Sequence, residues 1–368
     1  MTDRRGTLGV ASGFTSRYVP KLDDPRRLPA ADVAANTEFL RNTFADLVST
    51  SAALPPEERL VMYDACDEHE VKAPLGAGPF RKRLDARRNT KPKKPDAQVL
   101  VCTPFDAAAF NFSKIKNPAE RIATLPLGGG GDAYHLLTNK FPLFKAHMLL
   151  VADAKVPQQM TAGHLDALAT LLGGCELSAY FNSWCASASV NHFHCHLIDE
   201  VPPVATLPLV PGATVLGRLR LRPDGFPGEC HVFSIDDELD AVADVVRAMQ
   251  ADNQPHNLVL ASGHVYVFPK PLVRPAHSFE LYPETVGGPE LAGSFTVYRE
   301  DDYEALSWAA ADELYRLNTA PLPKACLVNE GGAPGVARAN TWDGIHAEAW
   351  PQDRPIAKAL LHNLARPL

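Results

Sequence analysis

Apolar residues recur at helical spacing in four stretches of this chain and at alternate positions in several others. From Asp32 to Thr50, the positions Val33, Thr37, Leu40, Phe44 and Leu47 fall on one helical face, with Asp32 placed as its cap. Thr161–Leu172 sets Leu165, Leu168 and Leu171 or Leu172 on one stripe, and Gly173-Gly174 then ends the helix. Ser234–Gln250 aligns Leu239, Val242, Val245, Val246 and Met249, and Asp301–Leu317 follows the same period. A short helix is predicted over Pro55–Asp67. Strands are predicted at Gln98–Thr103, His147–Val151, Leu177–Asn182, Ala188–Ile198 and Phe295–Arg299. Asn257–Ala261 and Val265–Pro269 flank Ser262-Gly263, which is a hairpin signal. Strand, helix, strand, strand in that order is α+β in character. The expected architecture is an antiparallel sheet with helices packed on it. The pattern admits two related halves, with the segment 257–299 joined to the first half in one structure.

The strand ending at Ile198 carries the chemistry. It reads Asn-His-Phe-His-Cys-His-Leu-Ile, with His192, His194 and His196 at alternate positions. A strand turns alternate side chains to one face, so the three imidazoles share a side while Phe193, Cys195 and Leu197 face the core. A neutral imidazole is both a nucleophile and a proton carrier near pH 7. A purely structural role would leave three polar groups in need of partners. A zinc site could use two of them with a third ligand from elsewhere, but the outer pair is too far apart along the strand for all three to converge. Cys195 points away from the histidines and reads as a buried thiol. His147, alone on an apolar strand, reads as a structural histidine.

The motif His-φ-His-φ-His-φ-φ, with φ apolar, resembles the signature of the histidine-triad superfamily. The stretch from Asn182 to His194 is similar to a segment of the GDP-L-galactose and GDP-D-glucose phosphorylases within it. Thr103-Pro104-Phe105-Asp106 with Phe110 to Ile115, Asn139-Lys140-Phe141 with His147 to Val151, Asn253 to Leu258, and Glu300 to Glu304 resemble further segments of those enzymes in the same order. The resemblance covers roughly residues 80 to 320. It implies a nucleotidyltransferase that cleaves a nucleotide sugar, best a GDP-hexose, with inorganic phosphate. The products are a nucleoside diphosphate and a sugar 1-phosphate. It implies His194 as the nucleophile, with His192 and His196 flanking the reacting phosphorus. Ser187, Ser189 and Asn182 are expected near the phosphates, and Asn111 and Asn139 near the nucleoside. Ordinary turn roles remain open for these serines and asparagines. One position departs from those phosphorylases: His196 stands where they usually carry Gln. Histidine there is typical of the hydrolase branch. A hydrolase of dinucleotides or nucleotide conjugates is therefore the alternative, and a non-catalytic nucleotide- or metal-binding protein a second one.

Composition narrows the partners. A net charge of −7 disfavours a nucleic-acid binder, which needs a basic excess. No run of eighteen apolar residues suggests a membrane span, and the first residues lack the apolar core of a secretory signal. Seven scattered cysteines without a C-x-x-C pair suit reduced thiols and a cytoplasmic location. No resident cofactor or metal is required by the phosphoramidate route, although magnesium can accompany the nucleotide. Eight basic residues against one acid between Arg81 and Lys94 read as a solvated connector or as a loop that draws in a polyanion. Gly128–Gly131 lacks the following Lys-Ser or Lys-Thr of a P-loop and reads as a flexible connector. The expected organisation is a helical lead-in over 1–80, a nucleotidyltransferase domain over 81–320, and a tail over 321–368 packed on it.

Overall fold

A computed structural model describes residues 33–55, 58–62, 71–72, 80–87, 99–117, 120–127, 132–144 and 146–327. The expectations for residues 1–30, the four-glycine run, the basic residues beyond Arg87 and the tail from 330 lie outside the described residues. So does most of the predicted helix over Pro55–Asp67, whose described residues 58–62 form a short turn and bends.

The centre of the fold is a ten-stranded antiparallel sheet. Its first half contains β3 (Arg121–Leu127), β4 (Asp132–Thr138), β5 (Met148–Ala152), α2 (Ala162–Gly173), β6 (Ser178–Asn182) and β7 (His194–Ile198). Its second half contains β8 (Leu209–Val215), β9 (Arg218–Pro223), β10 (His231–Ser234), α3 (Leu239–Ala251), β11 (His256–Ala261) and β12 (His264–Pro269). The sheet order is β3-β4-β5-β7-β6-β11-β12-β10-β9-β8. Both halves therefore repeat one plan: a hairpin, a third strand, a helix, a fourth strand at the joint, and a fifth that folds back between the third and fourth. They meet where β6 and β11 pair antiparallel, with Asn257 opposite Asn182 and Val259 opposite Tyr180.

Alternation along the strands sorts the two faces. On one face Met148, Leu150, Phe193, Cys195 and Leu197 join Leu258, Leu260, Val265 and Val267 in a single core. The helix α1 (Val33–Ala52), α2 and α3 cover it with Leu40, Phe44, Leu47, Leu165, Leu168, Val242, Val245 and Met249. The opposite face of the second half packs Val259, Tyr266 and Phe268 beneath Phe295, Leu314 and Tyr315. On the same face of the first half, Leu137, Leu149 and Val151 pack with Phe112 and Ile115 of the loop 99–117. The histidines lie on this second face.

Leu258 sits at the joint between the halves, fully buried. Leu258→Ala should cost about 3 kcal/mol, because a cavity opens where neither half can collapse into it. Urea unfolding monitored by circular dichroism checks this, and a cost below about 1 kcal/mol would mean that the joint repacks freely.

Several expectations need correction. Residues 99–102 form a loop and turn rather than a strand, and residues 188–193 are bends, so the histidine strand is only five residues long. The expected strand at 295–299 is β13 (Ser294–Val297). It leaves the main sheet and pairs in parallel with β2 (Arg81–Leu84), while β1 (Val71–Lys72) pairs on the other side of β2. The start of the basic segment is thus strand rather than connector, and its Arg83 is buried. The helix expected over Asp301–Leu317 is broken at Leu306-Ser307 into α6 (Glu300–Ala305) and α7 (Trp308–Asn318). Ser307 restarts it by accepting from the Ala310 N–H. Two short helices complete the fold, α4 (Ala276–Leu281) and α5 (Gly288–Leu291).

Candidate active site

β7 is held on both sides. Val151 of β5 stands opposite His194, and Tyr180 of β6 stands opposite His196. The His194 and His196 ring centres are 5.5 Å apart. His194 is buried and His196 half-buried.

Hydrogen bonds fix the tautomers. Nδ1 of His194 lies 2.8 Å from the His192 carbonyl oxygen, which can only accept. The proton of neutral His194 therefore sits on Nδ1 and the lone pair on Nε2. His192 uses both ring nitrogens: Nδ1 accepts from the Phe112 N–H at 3.2 Å, and Nε2 donates to the Ala154 carbonyl at 3.0 Å. Burial pushes its pKa down, and the bond to Ala154 works the other way. A neutral His192 thus anchors the carbonyl that orients its neighbour.

His196 is oriented by His147, the residue just before β5. The Leu143 N–H donates to Nδ1 of His147 at 2.9 Å, so the His147 proton is on Nε2. That nitrogen lies 3.0 Å from Nδ1 of His196, which must accept. His196 therefore carries its own proton on Nε2 and presents a donor. His147, expected to be structural, is the partner that sets this tautomer. Asn139 accepts from the Phe141 N–H through Oδ1, which leaves its amide nitrogen 3.0 Å from the same Nε2 of His147, a donor facing a donor and so no bond in this tautomer. Behind this pair Arg83 donates to the Leu143 carbonyl and lies over the Phe144 ring at 4.8 Å. It also binds both carboxylate oxygens of Glu200, just beyond the histidine strand, at 3.0 and 2.8 Å.

The loop 99–117 lies against the motif. Phe105 and Phe112 rings stand 5.4 and 5.8 Å from His192, and Phe112 meets His194 edge-on at 5.0 Å. Phe110 is exposed beside Phe112. Asn111 is buried and shapes this loop, donating to the Ala109 carbonyl while its Oδ1 accepts from Ser113.

The remaining expected residues tie the motif to the second half. Oδ1 of Asn182 accepts from Asn257 Nδ2 at 2.6 Å and from the Gly288 N–H at 2.9 Å. Gly288 has little room for a side chain, since a Cβ there would lie 3.1 Å from both Asn182 Oδ1 and Tyr180 Cδ1. Ser187, with φ of 89°, donates to the Val286 carbonyl, and buried Lys270 donates to the same carbonyl. Ser189 is exposed on the approach to the strand. Asn182 and Ser187 thus meet one loop of the second half, Asn139 lies with His147, and Asn111 lies in the aromatic loop. Among the described residues no cluster of three His, Cys, Asp or Glu could hold a metal ion.

Sequence reasoning gave one contributor, His147, only a structural part and overlooked two others, Gln158 and Asn191, which bond backbone at His194 and in the aromatic loop. His147 carried a signal, a polar residue on an apolar strand. Gln158 and Asn191 carried none, because their roles depend on which carbonyls tertiary folding brings to them.

Two related halves thus share one antiparallel sheet, with the histidine strand beside their joint. The chain is similar to yeast Ap4A phosphorylase Apa2 in complex with Ap4A, with a TM-score of 0.58 at 16% identity, covering 77% of this chain and 97% of that one. The complex of Apa2 with AMP gives 0.55 at 17% identity, covering 77% and 96%. Residues 56–198 match the family described as GDPGP1-like, N-terminal domain, and the match ends with the last residue of the histidine strand. GDP-D-glucose phosphorylase 1 of Danio rerio is 30% identical over 213 residues, which are 54% of this chain and 60% of that protein. The Homo sapiens protein of the same name is 32% identical over 167 residues, 40% of this chain and 42% of that one. The chain therefore spans less than two thirds of the length of either relative. The resemblance seen in the histidine segment extends through the whole first half of the sheet.

Proposed function

We propose that this protein is a nucleotidyltransferase that cleaves a nucleotide sugar, a GDP-hexose first of all, with inorganic phosphate through a covalent intermediate on His194. The observation that carries the reading is the tautomer of His194. Its Nδ1–H is held by a backbone carbonyl, so the lone pair is on Nε2 of a rigid strand.

In the first step Nε2 attacks the α-phosphorus. A P–N bond forms, the bond from the α-phosphorus to the bridging oxygen breaks, and the sugar 1-phosphate leaves. A neutral nucleophile avoids the repulsion that a phosphate anion would meet. The ring becomes cationic, and the His192 carbonyl steadies the proton left on Nδ1. In the second step a phosphate oxygen attacks the same phosphorus, the P–N bond breaks, and the nucleoside diphosphate leaves with His194 neutral again. His196 offers Nε2–H to an oxygen of the reacting phosphate, where negative charge builds up. The exposed Phe110 and adjoining Phe112 offer ring faces on which a base can stack. Of the three residues expected near the phosphates, Ser189 stands exposed on the approach, while Asn182 and Ser187 hold the backbone of Gly288 and Val286 beside it. The route calls for no resident metal, and magnesium enters with the nucleotide.

The relatives' name, GDP-D-glucose phosphorylase 1, supports the substrate and the acceptor. His196 in place of Gln favours the hydrolase alternative. The two separate on the acceptor. Incubation with GDP-hexoses should give nucleoside diphosphate and sugar 1-phosphate only when phosphate is present. Steady release of nucleoside monophosphate without phosphate would replace this reading with the hydrolase. No helix of the described residues is long and apolar enough to cross a membrane. Those residues contain no disulfide, and a reducing cytoplasm fits that state.

A further inference from the structure

Gln158 lies in the loop between β5 and α2, 36 residues before His194 in the sequence. It is fully buried. Its Oε1 accepts from the His194 N–H at 2.8 Å. Its Nε2 donates to the His194 carbonyl at 2.9 Å and to the Asn182 carbonyl at 2.8 Å. One side-chain amide thus satisfies both backbone groups of the residue that carries the proposed nucleophile.

The sheet explains why it is needed. β6 and β7 pair from Ser178 opposite Ile198 to Tyr180 opposite His196, and there the pairing stops. Two residues further along the same register Asn182 would stand opposite His194. The strands part at that point, and β6 continues alongside β11. A parted ladder would leave buried N–H and C=O groups without partners, at about 1–3 kcal/mol each. The Gln158 amide stands in the gap like a short piece of strand. Its own backbone N–H donates to Asn191 Oδ1 at 2.9 Å. Asn191 in turn donates to the carbonyls of Thr103 and Pro104 at 3.1 and 2.8 Å, which ties in the aromatic loop.

We infer that Gln158 is a positioning residue that fixes the backbone of His194 and so the aim of its Nε2. The catalytic consequence rests on the reading of His194 as nucleophile, and the geometry of the clamp does not. Because the amide touches only backbone, its loss should misdirect the ring without altering the surfaces that meet substrate.

Two variants test this. Gln158→Met keeps the volume and removes all three bonds. The rate of nucleotidyl-His194 formation should fall about 100-fold, the effect of a misplacement near 1 Å, while the Kd for the nucleoside diphosphate product stays within about twofold. Gln158→Glu keeps the length. Protonated, its carboxyl can accept from the His194 N–H and donate to one carbonyl; ionised, it sets a negative charge against two carbonyl oxygens. Burial and those carbonyls raise the pKa of such a carboxyl. This variant should approach wild-type activity at low pH and lose it as pH rises through that raised value. Nitrogen NMR of the His194 ring reads the clamp without turnover, with one Nδ1–H tautomer in the wild type and a mixture in Gln158→Met. If the wild type forms no adduct yet Gln158→Met shows this spectral change, the clamp stands and the proposed reaction fails. An unchanged spectrum in Gln158→Met, equal losses of binding and labelling, or a wild-type pH profile in Gln158→Glu would each overturn the inference.

Discussion

His194→Ala should lower turnover by roughly 10⁵-fold or more, the scale seen when a covalent nucleophile is removed, and the protein should remain folded. The folding half of this expectation comes from the sheet. The residues that anchor β7 in the core are Phe193, Cys195 and Leu197, on the face opposite the imidazole. The lost side chain bonds a neighbouring carbonyl and makes edge contacts with the Phe112 and His196 rings. A cost of about 1–2 kcal/mol follows, small against a typical domain stability of 5–15 kcal/mol. Steady-state rates, with thermal unfolding as the control, check both halves. Activity within about tenfold of wild type would place the covalent step elsewhere or remove it.

Acid should unfold this protein unusually early. Three histidines outside the motif are held neutral by burial. His164 is pushed down from 6.5 to about 3 and His231 and His256 each to about 4. His164 stacks on Phe193 and meets the Tyr134 hydroxyl. Nearby Arg222 lowers His231 further, and Glu229 at 3.8 Å is too far to offset burial. For His256 a bond to the Gln254 carbonyl opposes burial without overcoming it. As pH falls through 6.5 the unfolded chain gains a proton at each position and the folded chain gains none until pH 3–4. Stability is therefore present above 6.5 and is withdrawn below it, by about 1.4 kcal/mol per pH unit for each histidine and about 4 for the three together. Glu120 and Asp166, whose carboxyls burial pushes up, act in the opposite sense. Urea midpoints between pH 4.5 and 6.5 measure the slope. A slope below about 1 kcal/mol per unit would show that these rings become protonated in the folded state.

Much of the first half could be read from the chain. His147–Val151, Leu177–Asn182 and the helix at 161–172 announced themselves through period and glycine punctuation. The alternation from His192 to Leu197 assigned the two faces of β7 correctly. The hairpin at 257–269 was equally plain. The strands β3, β4, β8, β9 and β10 were not. β8, the edge strand, carries Pro211 and Gly212, and β9 beside it alternates arginine with exposed leucines, so neither resembles a buried strand. Arg83 misled for a related reason. Its charge places it in solvent by composition, yet Glu200, the Leu143 carbonyl and the Phe144 ring supply what water would. Period alone could not decide that Phe295 joins β2 instead of the main sheet, because parallel pairing between distant segments leaves no local trace. The hidden parts of the site share that origin. Gln158 and Asn191 act through side-chain amides on backbone carbonyls, and nothing in sequence shows where those carbonyls will stand.

The antiparallel seam of β6 and β11 has a wider consequence. Two segments of the same plan, set edge to edge in opposite directions, are arranged as identical copies would be about a twofold axis. A chain half as long could complete this sheet by finding a twin, and such a pair would own two equivalent reaction centres. Here β12 holds Tyr266 and Phe268 in the position that β7 gives to imidazoles. The second half thus packs where the first presents imidazoles, and the Gly287-Gly288 loop beyond it reaches back to Asn182.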